Sequence, residues 1–181
     1  GSNRGLFHGC TSLTNITMNC PNLTVIGTGM FRGVGNAAGD FEQLVPPSVI
    51  RIDPFAFYGC AKFTGTLNLP NIHTIGQMAF TGCSGLGRVS LGGPITSLPE
   101  RNGTYNQAVF SSCGITNLEI SAKSFASIGN GAFEKCSALD AIVFGSTNAL
   151  TLGGNNTFNA ASKLREVHIE SPAWLPLEVD R

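Results

Sequence analysis

Residues 75–91 read IGQMAFTGCSGLGRVSL, and residues 128–144 read IGNGAFEKCSALDAIVF. Both place an Ile-Gly pair, then Ala-Phe, a cysteine three residues after the phenylalanine, and apolar residues six, nine and eleven after it. Met alone, such a cysteine is open to four readings: a nucleophile, half of a disulfide, a metal ligand or packing. Recurrence changes the question, because a residue placed by a repeat belongs first to the fold.

Aligning on phenylalanine extends the pattern over Phe7, Phe31, Phe57, Phe80, Phe110, Phe133 and Phe158, at separations of 24, 26, 23, 30, 23 and 25 residues. About seven units of this period fit the range of leucine-rich repeats. Within a unit the periodicity changes. Val89 and Leu91 share a face by strand alternation, with Leu86 preceding them, and Leu13/Ile16/Met18, Ile115/Leu118/Ile120, Leu139/Ile142/Phe144 and Leu164/Val167/Ile169 are their equivalents. Pro70 or Gly92-Gly93 then ends the strand. Apolar pairs such as Ile72/Ile75 and Phe125/Ile128 read as an extended return arm. The Gly-x-x-Ala-Phe segment is too short for a free helix and reads as one helical or 3₁₀ turn. No unit of this size buries its own apolar residues, so stability must come from stacking on neighbours. The pattern predicts a right-handed leucine-rich-repeat solenoid over residues 3–171, with parallel strands on its concave face. Residues 172–181 form a non-repeat tail in which Trp174 is expected to cover the open end.

The line Ile-Gly-x-x-Ala-Phe-x-x-Cys-x-x-Leu-x-x-Val-x-Leu, carried by residues 75–91 and 128–144, resembles the BspA-like leucine-rich repeats. The resemblance covers roughly residues 5–171. It implies a surface-exposed or secreted protein of a host-associated bacterium, of a family with relatives in some parasitic protists, engaged in adhesion and host-protein binding.

Three places depart from the pattern. The second unit carries VGNAAGDFEQLVPP after Phe31, with Val34 at the cysteine position and Phe41/Leu44 at the strand positions. The fourth is lengthened by PERNGTYNQ (99–107), read as a protruding loop, and the tail SPAWLPLEVDR (171–181) leaves the repeat altogether. Gly1-Ser2 reads as a cloning remnant, and the abrupt start that follows it reads as a fragment of something longer.

Composition narrows the function classes. Lys+Arg and Asp+Glu are 11 each, which leaves no electrostatic footprint for nucleic acid or an anionic membrane. No apolar run approaches a bilayer span and no signal pattern opens the chain, so membrane insertion is not expected. The chain is expected to be a monomer.

Cys10, Cys60, Cys83, Cys113 and Cys136 all stand at the Phe+3 position. Equivalent side chains in a parallel stack run alongside one another, a poor approach for a disulfide. They are therefore read as reduced, small apolar filler, a reading supported by Val34 and Ala161 at the same position. Cys20 has no counterpart and is read as incidental, with an external bridge and a reactive thiol as the alternatives. His8, His73 and His168 fall in separate units. His8 and Cys10 are too few for a closed zinc site, and no hydroxyl or thiol, base and orienting group converge. Neither an enzyme nor a cofactor is expected. The glycine pairs at 92–93 and 153–154 lack a P-loop's Gly-Lys-Ser/Thr and serve as turns. Sequons at Asn15, Asn22, Asn102 and Asn155 are no more frequent than chance allows.

What remains is surface. Strand alternation points Asn15, Thr17, Gln43, Asn68, Arg88, Ser90, Asn117, Glu119, Glu166 and His168 outward, interrupted by Val45, Ala141 and Val143. Solenoids bind extended partners on such a face, and Arg101 and Tyr105 in the loop offer an amphipathic contact of the hot-spot kind. The partner-binding candidates are thus Asn68, Arg88, Ser90, Arg101, Tyr105, Asn117, Glu119, Glu166 and His168, and the partner class is extracellular protein or glycan. A spacer that presents another domain of a longer protein is the rival.

Overall fold

The structure is a computed structural model that describes residues 5–8, 10, 12–101, 103–104 and 106–170. In chain order its elements are β1 (Val25–Ile26), β2 (Gly39–Asp40), α1 (Phe41–Leu44), β3 (Arg51–Ile52), β4 (Phe63–Leu69), β5 (Thr74–Ile75), β6 (Leu86–Leu91), β7 (Ser97–Leu98), β8 (Asn117–Ile120), β9 (Ser127–Ile128), β10 (Ala141–Phe144), β11 (Thr151–Leu152) and β12 (Glu166–Ile169). The main sheet runs β12-β10-β8-β6-β4-β2, parallel throughout, and a bridge from Asn15 to Ala38 adds the first unit at its edge. Each unit contributes one rung, as a parallel solenoid requires.

The return arms also pair, as two-residue strands in the sheets β1-β3-β5 and β7-β9-β11. Between the arms and the main sheet lies the core. Phe31, Phe57, Phe80, Phe110 and Phe133 are fully buried there. From Phe7 to Phe158 the seven rings form one column with centroid separations of 5.6, 4.9, 5.2, 5.1, 5.3 and 5.5 Å, and within the column the rings lie 18° or less from parallel. A fixed rung spacing of about 4.8 Å imposes this near-parallel stacking on an aromatic position that recurs in every unit.

The segment before each central Phe makes single tight turns closed by bonds three residues apart, such as Ala56 N–H to Asp53 O, Ala79 N–H to Gly76 O and Ala132 N–H to Gly129 O. It is a chain of tight turns in which local and inter-unit hydrogen bonds alternate. Met30 N–H donates to Gly27 O and Arg32 N–H to Gly29 O, while Phe31 N–H donates across to Ala56 O at 2.8 Å. The same cross-unit bond recurs from Phe57 to Ala79, Phe80 to Val109, Phe110 to Ala132 and Phe133 to Thr157. Local turn bonds and cross-unit bonds thus hold the segment together. Two residues after Phe31, Phe57, Phe80, Phe110, Phe133 and Phe158 the chain turns left-handed: Gly33, Gly59, Gly82, Ser112, Lys135 and Ala160 have φ of 84, 76, 78, 59, 62 and 66°. Glycine takes that conformation freely and the other three residues strain to do so, which marks the turn as imposed by the stack.

The two irregular units have local causes. After Phe31, Ala37 takes the first inward position, and the strand is cut to Gly39–Asp40 because Asp40 caps α1, its carboxylate accepting from Glu42 N–H at 2.9 Å. Phe41 and Leu44, expected on a strand, are buried from this helical turn, with Phe41 edge-on to Phe57 and Phe63. Two assignments change as a result: Gln43 is exposed on α1 rather than on a strand, and Val45, expected to face outward, is buried. In β4 the register shifts between Gly65 and Thr66. This bulge absorbs one extra residue, so Leu67 and Leu69 align with Val89 and Leu91. Gly65 sits there at φ 92°, where a Cβ would come within 2.8 Å of the Asp40 carboxylate.

Candidate functional site

The strand register builds two outward columns across β4, β6, β8, β10 and β12. One runs Thr66, Arg88, Asn117, Ala141, Glu166, and the other Asn68, Ser90, Glu119, Val143, His168. Asn68, Arg88, Glu119, Glu166 and His168 are exposed, while Ser90, Asn117, Ala141 and Val143 are half-buried. Seven of the nine candidate residues therefore share one surface. Thr66 belongs to it too and was hidden by the bulge. A shallow depression of about 300 Å³ lies between Arg88, Glu119 and the apolar pair Ala141/Val143. The face thus carries charge of both signs around an apolar floor.

The insertion is anchored at one residue, Arg101, while Gly103, Thr104 and Asn106 beyond it are exposed. The Arg101 guanidinium donates to Glu134 at 2.9 Å and to Asn106 Oδ1 at 2.6 Å, and the Arg101 and Glu134 side chains are only 18% and 14% exposed. Arg101 N–H also donates to Asn130 O. Arg101 thus ties the insertion down onto the next unit, and Gly131 makes room for it, since a Cβ there would meet the guanidinium at 3.0 Å. Tyr105 and Asn102 lie outside the described residues, as do Trp174 and the rest of the tail.

A second feature had no signal in the repeat. Arg165 and Asp140, one rung apart at the start of β12 and β10, form a two-pronged ion pair on the rim, beside a depression of about 430 Å³ that Thr116 and Lys163 also line. The hydrogen bonds from Arg165 hold the Asp140 carboxyl below its usual range. The pair is exposed, so its charges stay well solvated.

The cysteines are more than filler. The thiols of Cys60, Cys83, Cys113 and Cys136 donate to the carbonyls of Phe31, Phe57, Phe80 and Phe110 of the preceding units at 3.3, 3.2, 3.0 and 3.1 Å. Each of those carbonyls also accepts the N–H three residues on in its own unit, so both lone pairs are used. These four cysteines are buried and all six are free. Burial pushes the thiols of Cys60, Cys83 and Cys136 well above the usual range. Cys10 breaks the expectation: it is exposed, because no described unit stacks on the outer side of the first one.

This repeat is the basis of the comparison with known proteins. A family model described as "BspA type Leucine rich repeat region" matches residues 3–102 and 50–173, in six copies. The chain belongs to the BspA-type leucine-rich repeat family. A solved leucine-rich repeat protein from Bacteroides ovatus ATCC 8483 is similar to it at 19% identity with a TM-score of 0.40, covering 91% of this chain. The chain spans 56% of that protein's length. No curated protein matches it. A BspA-type repeat is a scaffold, an architecture suited to binding other proteins along its length. Its three histidines are exposed on different units, and no group of three or more His, Cys, Asp or Glu among the described residues is placed to hold a metal ion. Nor is any described helix long and apolar enough to cross a membrane.

Proposed function

We propose that this chain is a non-catalytic recognition scaffold that binds an extracellular protein or glycan on its main-sheet face. The observation that carries the reading is the contrast between the two sides of the same strands. Over five rungs the inward positions keep Leu67, Val89, Leu118, Ile142 and Val167, whereas the outward ones change at every step. Packing accounts for the first column and places no demand on the second. A row of different polar groups spaced about 4.8 Å apart is a pattern that a partner lying across the strands can read. Surface or secreted placement rests on the family.

Arg88 and Glu119 are the anchoring charges. Arg101 is left out of the surface because its guanidinium is already engaged. The test is a screen of the full chain against matrix proteins and glycans, repeated with Arg88→Ser and Glu119→Gln. Loss of a hit in either variant supports the reading. Hits that neither substitution alters, or a screen with no hits, would leave the spacer as the better account.

A further inference from the structure

Two shallow depressions on the main-sheet face join. One, of about 350 Å³, lies between Glu42, Pro47 and Asn68, and the other, of about 300 Å³, is the one beside Arg88, Glu119, Ala141 and Val143; Thr66 lines both. Together they form one trough that crosses the strands from α1 to β10, within the interior units of the stack. From the unit of α1 to that of β10 is four strand spacings, about 19 Å, the length of about six residues of extended chain.

The charges in the trough are left for a partner. Arg88 stands opposite Asn117, and Glu119 opposite Ser90, so the two charges are diagonal neighbours within reach of long side chains. They do not pair with each other, and neither joins the ion pairs Arg51–Asp53, Arg101–Glu134 and Arg165–Asp140 formed elsewhere. At the other end of the trough Glu42 adds an exposed carboxylate. Along its length the trough therefore runs negative, positive, negative. Around it the sign is uneven. Asp40, beside Gly65, and Glu166 on β12 add carboxylates, whereas none of the chain's four lysines falls on the outward columns. An anionic glycan would meet mostly like charge there. No aromatic ring lines either depression, which leaves a sugar no ring face to stack on.

We infer that the trough takes an extended basic segment of a protein, lying across the strands with one cationic side chain against Glu42 and another against Glu119. Three strand spacings separate the units of those two carboxylates, about 14 Å or roughly four residues of extended chain, and side chains four residues apart share a face. A carboxylate between the two cations faces Arg88. The inference rests on the strand-face reading and narrows its partner from protein or glycan to a basic peptide chain.

The test follows the backbone amide NMR spectrum of the full chain at low ionic strength during titration with three probes. They are the end-blocked peptide Thr-Lys-Thr-Asp-Thr-Lys-Thr, its charge-reversed form Thr-Glu-Thr-Lys-Thr-Glu-Thr, and a heparin hexasaccharide. The basic peptide is expected to shift amides of α1, β4, β6 and β8 saturably, and added salt to weaken it. Glu42→Gln and Glu119→Gln, whose own spectra report that they are folded, should each weaken it about two- to fivefold. Equal or tighter binding of the charge-reversed peptide or the heparin oligosaccharide on these strands overturns the inference and leaves the strand face standing as a binding surface. Shifts confined to residues off the trough, or no saturable shift from any probe, overturn it as well and remove this support from the strand face.

Discussion

Replacing Phe110 by alanine tests the stack where it is most complete. The ring is fully buried and lies 5.1 Å from Phe80 and 5.3 Å from Phe133, at 9° and 5° from parallel. Truncating such a residue costs about 3–5 kcal/mol through lost transfer energy and the cavity left behind. For a chain of this length that corresponds to a fall in Tm of roughly 6–20 °C. Phe158 provides the control. It has the same place in the repeat but is half-buried, with Phe133 at 5.5 Å on one side only. Phe158→Ala should cost about half as much, roughly 1.5–2.5 kcal/mol, in line with its smaller burial. Thermal unfolding followed by far-UV circular dichroism separates the two. Equal losses, or a larger loss at Phe158, would refute the nearest-neighbour reasoning.

Native thiol titration near neutral pH should find two reactive cysteines, Cys10 and Cys20, and unfolding should expose the other four. Alkaline pH should destabilise the fold. The thiols of Cys60, Cys83 and Cys136 are raised by burial, so their contribution is intact below the unfolded thiol pKa and is lost above it, as the unfolded chain ionises first. One pH unit above an unfolded value of about 8.5, three such groups cost roughly 4 kcal/mol together, readable as a fall in the urea midpoint. Arg101→Ala should cost about 2–3 kcal/mol in thermal unfolding, somewhat below the cost of breaking a fully buried pair, whereas Arg165→Ala on the exposed rim should leave Tm nearly unchanged. Substituting Ser90 by alanine should likewise leave stability within about 0.5 kcal/mol of wild type.

The repeat made most of the fold legible. Phe80, Leu86, Val89 and Leu91 needed only spacing to be placed inside, and Ile72/Ile75 and Phe125/Ile128 to be placed on the return arms. Spacing failed where a unit gains residues or swaps one element for another. The β4 bulge hid Thr66 because an insertion inside a strand leaves the apolar count intact and changes only the register. The cap at Asp40 turned Phe41–Leu44 helical and buried Val45, an effect of one side-chain hydrogen bond that no periodicity carries. Arg101 reads in the sequence as a free cation in an insertion, since its partner Glu134 comes 33 residues later in the next unit. The thiol-to-carbonyl bonds were equally invisible, yet a cysteine kept where valine or alanine also fits was a hint that a donor is wanted. The outward residues were found by alternation alone, and for that reason their shared columns rest on the register.

That register is open to a distance measurement. Asn68 and His168 lie 100 residues apart in sequence but four rungs apart in one column. With Cys10 and Cys20 changed to serine and spin labels placed at positions 68 and 168, four strand spacings give about 19 Å between the backbones. Pulsed dipolar spectroscopy should return a narrow distribution near ~20 Å, widened only by the label linkers. A broad distribution, or a peak beyond about 35 Å, more than seven strand spacings, would contradict the parallel stack and with it the face on which binding is proposed.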